Sequence, residues 1–288
     1  MIFRQPKIEI RKKTKILPLQ DYEPELPEEK DKAVARADRR LSKQERESRF
    51  LVKRSEDYQV FDNVFDVPTL MTINHLRRDG VIGEIRGSLA AGKESKVYVA
   101  TSPSGSPLIL KIYLTVSAEF KKRLQYIAGD PRFSDVKKGS RSLIAAWARK
   151  EFKNMQVAHE AGVRVPAPIA VKKNVLVMEF VGDRDENAAQ QLVNTKVTLK
   201  DYEQVIEQLS LLYKKANLVH ADLSEYNIFR AVGGIMLFDF GSAVDIRQPN
   251  SKRFLVRDIL NVNRFFEKRG IKVIDASRLI EKIAGASK

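Results

Sequence analysis

Four polar residues in the second half of the chain carry the clearest chemical signal. His220-Ala221-Asp222 is followed by Asn227 in the run HADLSEYN, and Asp239-Phe240-Gly241 comes twelve residues after Asn227, at the end of the apolar run IMLFDF. Phosphoryl transfer needs little covalent help from a protein; it needs positioning and neutralisation of charge. One carboxylate must accept or orient the attacking hydroxyl. A second carboxylate and a carboxamide oxygen must hold Mg2+ against the phosphates, because that cation prefers hard oxygen ligands. Asp222 is the candidate catalytic base, and Asn227 with Asp239 is the candidate metal pair. Either short motif alone is a common loop; the two in register with Asn227 are far less so.

The spacing H-x-D-x-x-x-x-N followed by D-F-G matches the catalytic and metal loops of protein kinases. Such a site also needs a strand lysine that reaches the α- and β-phosphates and a helix glutamate that orients it. Lys111 lies inside the apolar stretch LILKI, where an unpaired lysine is rare. Its expected partner is Glu151 in WARKEF. The segment Gly87–Tyr98 (GSLAAGKESKVY) falls where a phosphate-covering loop belongs. It is not G-x-G-x-x-G, and Glu94 stands where a P-loop has Ser or Thr. Taken alone, a plain hairpin explains it equally well. In register with Lys111, the side chains of Lys93 and Ser95 become candidates for phosphate contact. The run VLVMEFVG supplies the expected hinge. Backbone groups of Glu179 and Val181 would meet the adenine edge, with Met178 lining the back of the pocket.

Ordered elements must carry these residues. Hydrophobic periodicity predicts helices over Thr69–Arg78, Ala118–Ile127, Leu143–Ala161, Lys200–Ala216, Phe254–Lys268 and Asp275–Ile283. It predicts strands over Val81–Ile85, Val97–Ala100, Leu108–Tyr113, Val175–Val181 and Ile235–Phe240. Strands with one long helix precede a long apolar strand, and mostly helices follow. That order predicts an α+β protein of two lobes with a cleft between them. Three segments are expected: residues 1–57, a charged, flexible N-terminal extension; 58–181, an N-terminal helix and an N-lobe with phosphate loop and hinge; and 182–288, a C-lobe with the catalytic and metal loops.

Composition narrows the function. The 288 residues are 43% hydrophobic, enough for a sizeable core. Lys and Arg number 52 against 37 Asp and Glu, a net charge of +15, which points to a polyanionic partner, nucleic acid or nucleotide. The absence of cysteine excludes disulfides, thiolate zinc sites and cysteine nucleophiles, and three histidines leave no His-built metal site. No apolar run is long enough for a membrane span and no signal-peptide core opens the chain, so a soluble, cytoplasmic protein is expected. Between Lys121 and Lys153 there are ten basic and three acidic residues, and between Arg36 and Arg54 eight and three. Both stretches, the first including an expected flexible loop at Gly129–Ser142, read either as solvated surface or as contacts to RNA phosphates. No aromatic RNA-recognition motif is present, so such contacts would be weakly sequence-specific.

The segments GSLAAGKESKVYVA, LILKIY, WARKEFKNM, VPAPIAVKKNVLVMEFVG, LVHADLSEYNIF and LFDFGSAVDIRQP resemble the RIO-type atypical protein kinases, most closely the archaeal type 1 subfamily, from about Thr69 to Ile283. The resemblance implies a trimmed, two-lobed kinase-like fold with a small β-rich N-lobe and a mostly helical C-lobe, acting as a monomer. It implies ATP with Mg2+, or Mn2+, in the cleft. Asp222 would be the catalytic base, Asn227 and Asp239 would bind the metal, and Lys111 the phosphates. It further implies that Asp239 can become a phosphoaspartate. The protein would then be an ATPase switch on the small ribosomal subunit precursor and its RNA, as well as an autophosphorylating serine kinase. One departure concerns the phosphate loop: the family's usual S-T-G-K-E-A reads Ala90-Ala91-Gly92-Lys93-Glu94-Ser95 here. The hydroxyls before the glycine are missing, which leaves backbone contacts open and puts side-chain contacts in doubt.

Only 49 residues (288 − 239) follow Asp239. A conventional protein kinase needs a long activation segment, an A-P-E anchor and further helices after this point. The expectation is nucleotide chemistry without the usual peptide platform, which favours a switch over broad substrate phosphorylation. Two other readings stay open: a small-molecule phosphotransferase on the same fold, and a non-enzymatic ribosome-binding protein that keeps a nucleotide pocket.

Overall fold

The computed structural model describes residues 65–92, 94–114, 139–183 and 185–285. The expected helix at Ala118–Ile127, the basic segment at Arg36–Arg54, residues 129–138 of the expected loop and Lys93 lie outside these residues.

Helix α1 (Val67–Arg78) starts where Asp66 accepts the Thr69 N–H at 3.1 Å and Pro68 occupies the first turn. It ends in a Schellman-type turn. Gly80 takes a left-handed φ of 68°, and the Val81 N–H reaches back to Leu76 O at 2.9 Å. Val81–Ile85 is therefore not the strand its composition predicts, since its first residues are used in leaving α1. The first strand, β1, runs over Ile85–Ala91 and takes in Gly87–Ala91, the start of the expected phosphate loop. The chain turns at Gly92, whose N–H donates to Ser95 O at 2.9 Å.

With β2 (Ser95–Thr101), β3 (Pro107–Tyr113), β4 (Pro168–Lys172) and β5 (Val175–Glu179), β1 forms an antiparallel sheet of order β1-β2-β3-β5-β4. Both faces of the central strands are covered, which explains the unbroken apolar runs on β3 and β5. Leu108, Leu110, Ile112, Val175 and Val177 pack with Ile73 and Leu76 of α1. Alternate residues Ile109, Tyr113, Leu176 and Met178 join the larger core with Trp147 and Met155 of helix α2 (Ser140–Glu160). Strand period puts Lys111 with Ile109 and Tyr113, on the face toward α2. Gly139–Ser142, expected as the end of a loop, leads directly into α2.

The second lobe is built on α3 (Leu199–Lys214), α4 (Ser251–Glu267) and α5 (Ala276–Ala284). A capping box between Thr198 and Asp201 opens α3. Two small antiparallel sheets carry the loops: β6 (Gln190–Gln191), β8 (Ile228–Ala231) and β9 (Gly234–Leu237) in one, β7 (Leu218–Val219) and β10 (Val244–Asp245) in the other. Among the described residues, no helix is long and apolar enough to cross a membrane.

Candidate active site

Strand β3, helix α2 and the turn after β9 bring three charged side chains together. Lys111 Nζ donates to Glu151 Oε1 and Oε2 at 2.9 and 3.0 Å, and to Asp239 Oδ1 at 2.9 Å. Side-chain exposure is 1% for Glu151, 13% for Lys111 and 39% for Asp239, so the cluster opens outward on the Asp239 side. Burial alone would lower the Lys111 pKa; the Asp239 and Glu151 carboxylates outweigh it and hold the ammonium above its ordinary range. Burial raises Glu151, against the opposing pull of Lys111.

The catalytic loop leaves β7 at His220, which is fully buried. Burial lowers its pKa to about 4. The ring is therefore neutral, and Nε2, 3.0 Å from Phe238 O, carries the proton and donates it to that carbonyl. The next residue, Ala221, is left-handed at φ 62°. Asp258 of α4 accepts the Ala221 N–H at 2.8 Å and the Leu223 N–H at 3.0 Å, so both neighbours of Asp222 are fixed while Asp222 itself is exposed. Arg257 donates to Ala221 O, and Asn261 to Leu223 O at 3.2 Å. Burial of Asp258 pushes its pKa up to about 7, against the two backbone donors. Asn227 Nδ2 closes the loop by donating to Asp222 O at 2.8 Å, which leaves Oδ1 as the atom to offer a cation. The Phe238 N–H donates to Asn227 O at 3.1 Å, tying this loop to the residue before Asp239.

Asp239 is left-handed (φ 64°, ψ 63°) and leads into a 3-10 turn at Phe240–Ser242. The turn rests on α2. Fully buried Lys150 donates to Gly241 O at 2.9 Å and to Ala243 O; Asn154 Nδ2 donates to Phe240 O at 3.0 Å and Ala243 O at 2.9 Å. A Cβ at position 241 would lie 2.8 Å from Trp147 Nε1, so this close approach requires glycine. Among the described residues, no three His, Cys, Asp or Glu side chains form a metal site of their own. One carboxylate and one carboxamide oxygen instead fit a hard divalent cation that keeps water and phosphate oxygens in its shell.

At the hinge position, the Glu179 N–H donates to Ala167 O and its Oε2 accepts the Ala167 N–H, both at 2.9 Å. The Val181 carbonyl accepts from the Ala189 N–H at 2.9 Å, which leaves its N–H as the group to offer a ligand. Met178 is buried on the α2 side of the sheet. Ser95 opens β2 opposite Tyr113, and the contacts of the Lys111 cluster do not include it. The structure thus joins Lys111, Glu151 and Asp239 directly, and Asn227 to Asp222 through the backbone.

Sequence reasoning missed Lys150, Asn154, Arg257 and Asp258. A signal existed for two of them. Asp258 falls on the apolar face of α4 between Leu255 and Val262, and Lys150 on the face of α2 that carries Trp147 and Asn154. A charge on a buried helix face has to be paired.

The fold and site define a two-lobed, kinase-like class of α+β protein. The RIO domain model matches residues 96–279. RIO-type serine/threonine-protein kinase Rio1 of Haloferax volcanii is 38% identical over 259 residues, covering 90% of this chain and 87% of its own. Serine/threonine-protein kinase RIO1 of Homo sapiens is 33% identical over 252 residues, 85% of this chain but 44% of its own, so the chain spans less than half of that relative. Among solved structures, the Rio2 kinase from Chaetomium thermophilum has a TM-score of 0.56 at 20% identity, over 75% of this chain and 67% of that one. Its ADP/Mg2+-phosphoaspartate complex has a TM-score of 0.54 at 19% identity, over 76% and 67%. At that identity the two structures share the fold. The chain belongs to the RIO kinase family.

Proposed function

We propose that this chain uses ATP with Mg2+, or Mn2+ in its place, to phosphorylate serine, its own included, and to form a phosphoaspartate at Asp239. In this reading it works as a cytoplasmic monomer and an ATPase switch on the precursor of the small ribosomal subunit. The observation that carries the reading is the Lys111 ammonium, fixed by Glu151 and 2.9 Å from Asp239 Oδ1. A cation held in this way neutralises phosphate charge beside an outward-facing carboxylate. Asn227 and Asp239 would hold the metal, which supplies further neutralisation when bound. Glu179 and Val181 would meet the adenine edge, and Lys93 and Ser95 the phosphates.

For a serine acceptor, Asp222 takes the hydroxyl proton as the serine oxygen bonds to the γ-phosphorus. The bond from that phosphorus to the bridging oxygen breaks, and ADP leaves. For the carboxylate acceptor, an Asp239 oxygen makes the same attack with no proton to remove. Water later cleaves the acyl phosphate and regenerates the carboxylate. The names of the relatives support the kinase activity, and a neighbour described as an ADP/Mg2+-phosphoaspartate complex supports the acyl phosphate as chemistry that this fold accommodates. The net charge of +15 supports an RNA-rich partner.

The test is incubation with γ-labelled ATP, with and without precursor subunits, following free phosphate, labelled protein and hydroxylamine-sensitive label. Asp222→Ala should lower transfer to serine about 100- to 10,000-fold while ADP binding persists. Asp239→Asn should abolish the hydroxylamine-sensitive label. Unchanged turnover in Asp222→Ala removes the base from its role.

A further inference from the structure

Lys150 and Asn154 take no part in the chemistry above, yet both are fully buried on the α2 face beneath the metal loop. Buried lysine is rare without partners. The Lys150 ammonium has the carbonyls of Gly241 and Ala243 and lies 5.5 Å from the Trp147 ring centre. One turn on, Asn154 donates to the carbonyls of Phe240 and Ala243. A single helix therefore holds the backbone immediately after Asp239, whose left-handed conformation is unfavourable for a residue with a Cβ. Glu151, between the two in sequence, holds Lys111, and Lys111 holds Asp239. The contacts close a ring from α2 through Lys111 and Asp239 to the turn and back to α2.

We infer that Lys150 and Asn154 are positioning residues that lock the metal loop to α2, so that helix and loop move as one body and present Asp239 in one geometry. Swinging α2 and the loop together away from β3 would strip the Lys111 ammonium of both Glu151 and Asp239, a large penalty in a low-dielectric interior. The Lys111–Glu151 pair therefore stays assembled whether or not nucleotide is bound. The inference rests on the proposed function only for the metal role of Asp239.

Hydrogen exchange of the nucleotide-free protein over residues 239–245 tests the lock without requiring any activity. Lys150→Met should speed exchange there about 10- to 100-fold, as expected for losing a charge-assisted hydrogen bond or two, and leave the amides of β3 and β5 unchanged. Lys150→Arg, which keeps cationic donors, should recover part of the protection. The Mg2+ concentration for half-maximal ADP binding should rise about 10-fold in Lys150→Met, with ADP affinity in EDTA unchanged. Asn154→Leu should give the same pattern more weakly, and decides the matter if Lys150→Met does not fold. Unchanged exchange in the variants, or exchange raised evenly along the chain, overturns the lock. Locally raised exchange without a Mg2+ response upholds the lock and counts against the metal role of Asp239.

Discussion

Residues 220–227 and residues 239–243 are short loops fixed in the same manner with the charges reversed. On the catalytic loop, the buried carboxylate of Asp258 accepts the N–H groups of Ala221 and Leu223. On the metal loop, the buried ammonium of Lys150 donates to the carbonyls of Gly241 and Ala243. Each helix supplies the charge that complements the buried backbone groups of its loop. The catalytic loop is tied to α4 in the second lobe, whereas the metal loop is tied to α2, which also packs against the N-lobe sheet through Trp147. Asp222 and Asp239 therefore answer to different helices, and the bonds of Phe238 to Asn227 and His220 set the two loops relative to each other.

The largest separation between the two loops should come from Asp258→Ala. It leaves two buried N–H groups without their acceptor, at about 1–3 kcal/mol each, measurable by chemical denaturation. Phosphate transfer should fall by more than Mg2+ affinity, because Asp222 lies between the two released amides and Asn227 beyond them; an equal fall in both would mean that the loops are not held separately. Next, Glu151→Gln weakens a buried ion pair and should cost about 3 kcal/mol, with weaker ATP binding seen by calorimetry. An equal effect on ADP-free hydrogen exchange at 220–223 would blur the distinction. Gly241→Ala is expected to cost about 1–3 kcal/mol, because its Cβ would meet the buried Trp147 indole. Its damage should be confined to the metal loop.

The smallest effect is on pH dependence, because His220 opposes Asp258 and Glu151. Asp258, raised from 3.8 to about 7, contributes stability that is lost as pH rises through that interval. His220, lowered from 6.5 to about 4, contributes stability that is lost as pH falls through that interval. Glu151, raised from 4.5 to about 7, acts in the same sense as Asp258, so His220 offsets one of the two and stability falls with rising pH between about pH 4.5 and 6.5. In Asp258→Asn the Glu151 and His220 contributions oppose each other, so the profile should be flatter over that range than in the wild type. Denaturation at pH 5, 6 and 7 checks this; an unchanged profile would show that Asp258 is not the titrating group.

Much of the site was legible in the linear order. The spacing of Asp222, Asn227 and Asp239 is a local property of two loops, and the strand period of LILKI alone assigns Lys111 to the face it occupies. Long elements were legible for the same reason: an amphipathic stripe repeated over α2, α3 or α4 exceeds local noise. The two-residue strands β6, β7 and β10 are too short to show any period. Strand β1 was misplaced because Val81 and Ile82 have strand composition but serve to end α1.

The helix period places Lys150 and Asp258 on buried faces but does not say what pairs them. What buries them are loops 91 and 37 residues away, at Gly241 and Ala221, whose backbone groups exist as partners only once the chain has folded. Short-range pattern thus picked out the side chains proposed to carry the chemistry. The groups that hold those side chains in place were settled by long-range contact, since burial and hydrogen bonding are properties of the packed molecule and not of neighbouring residues.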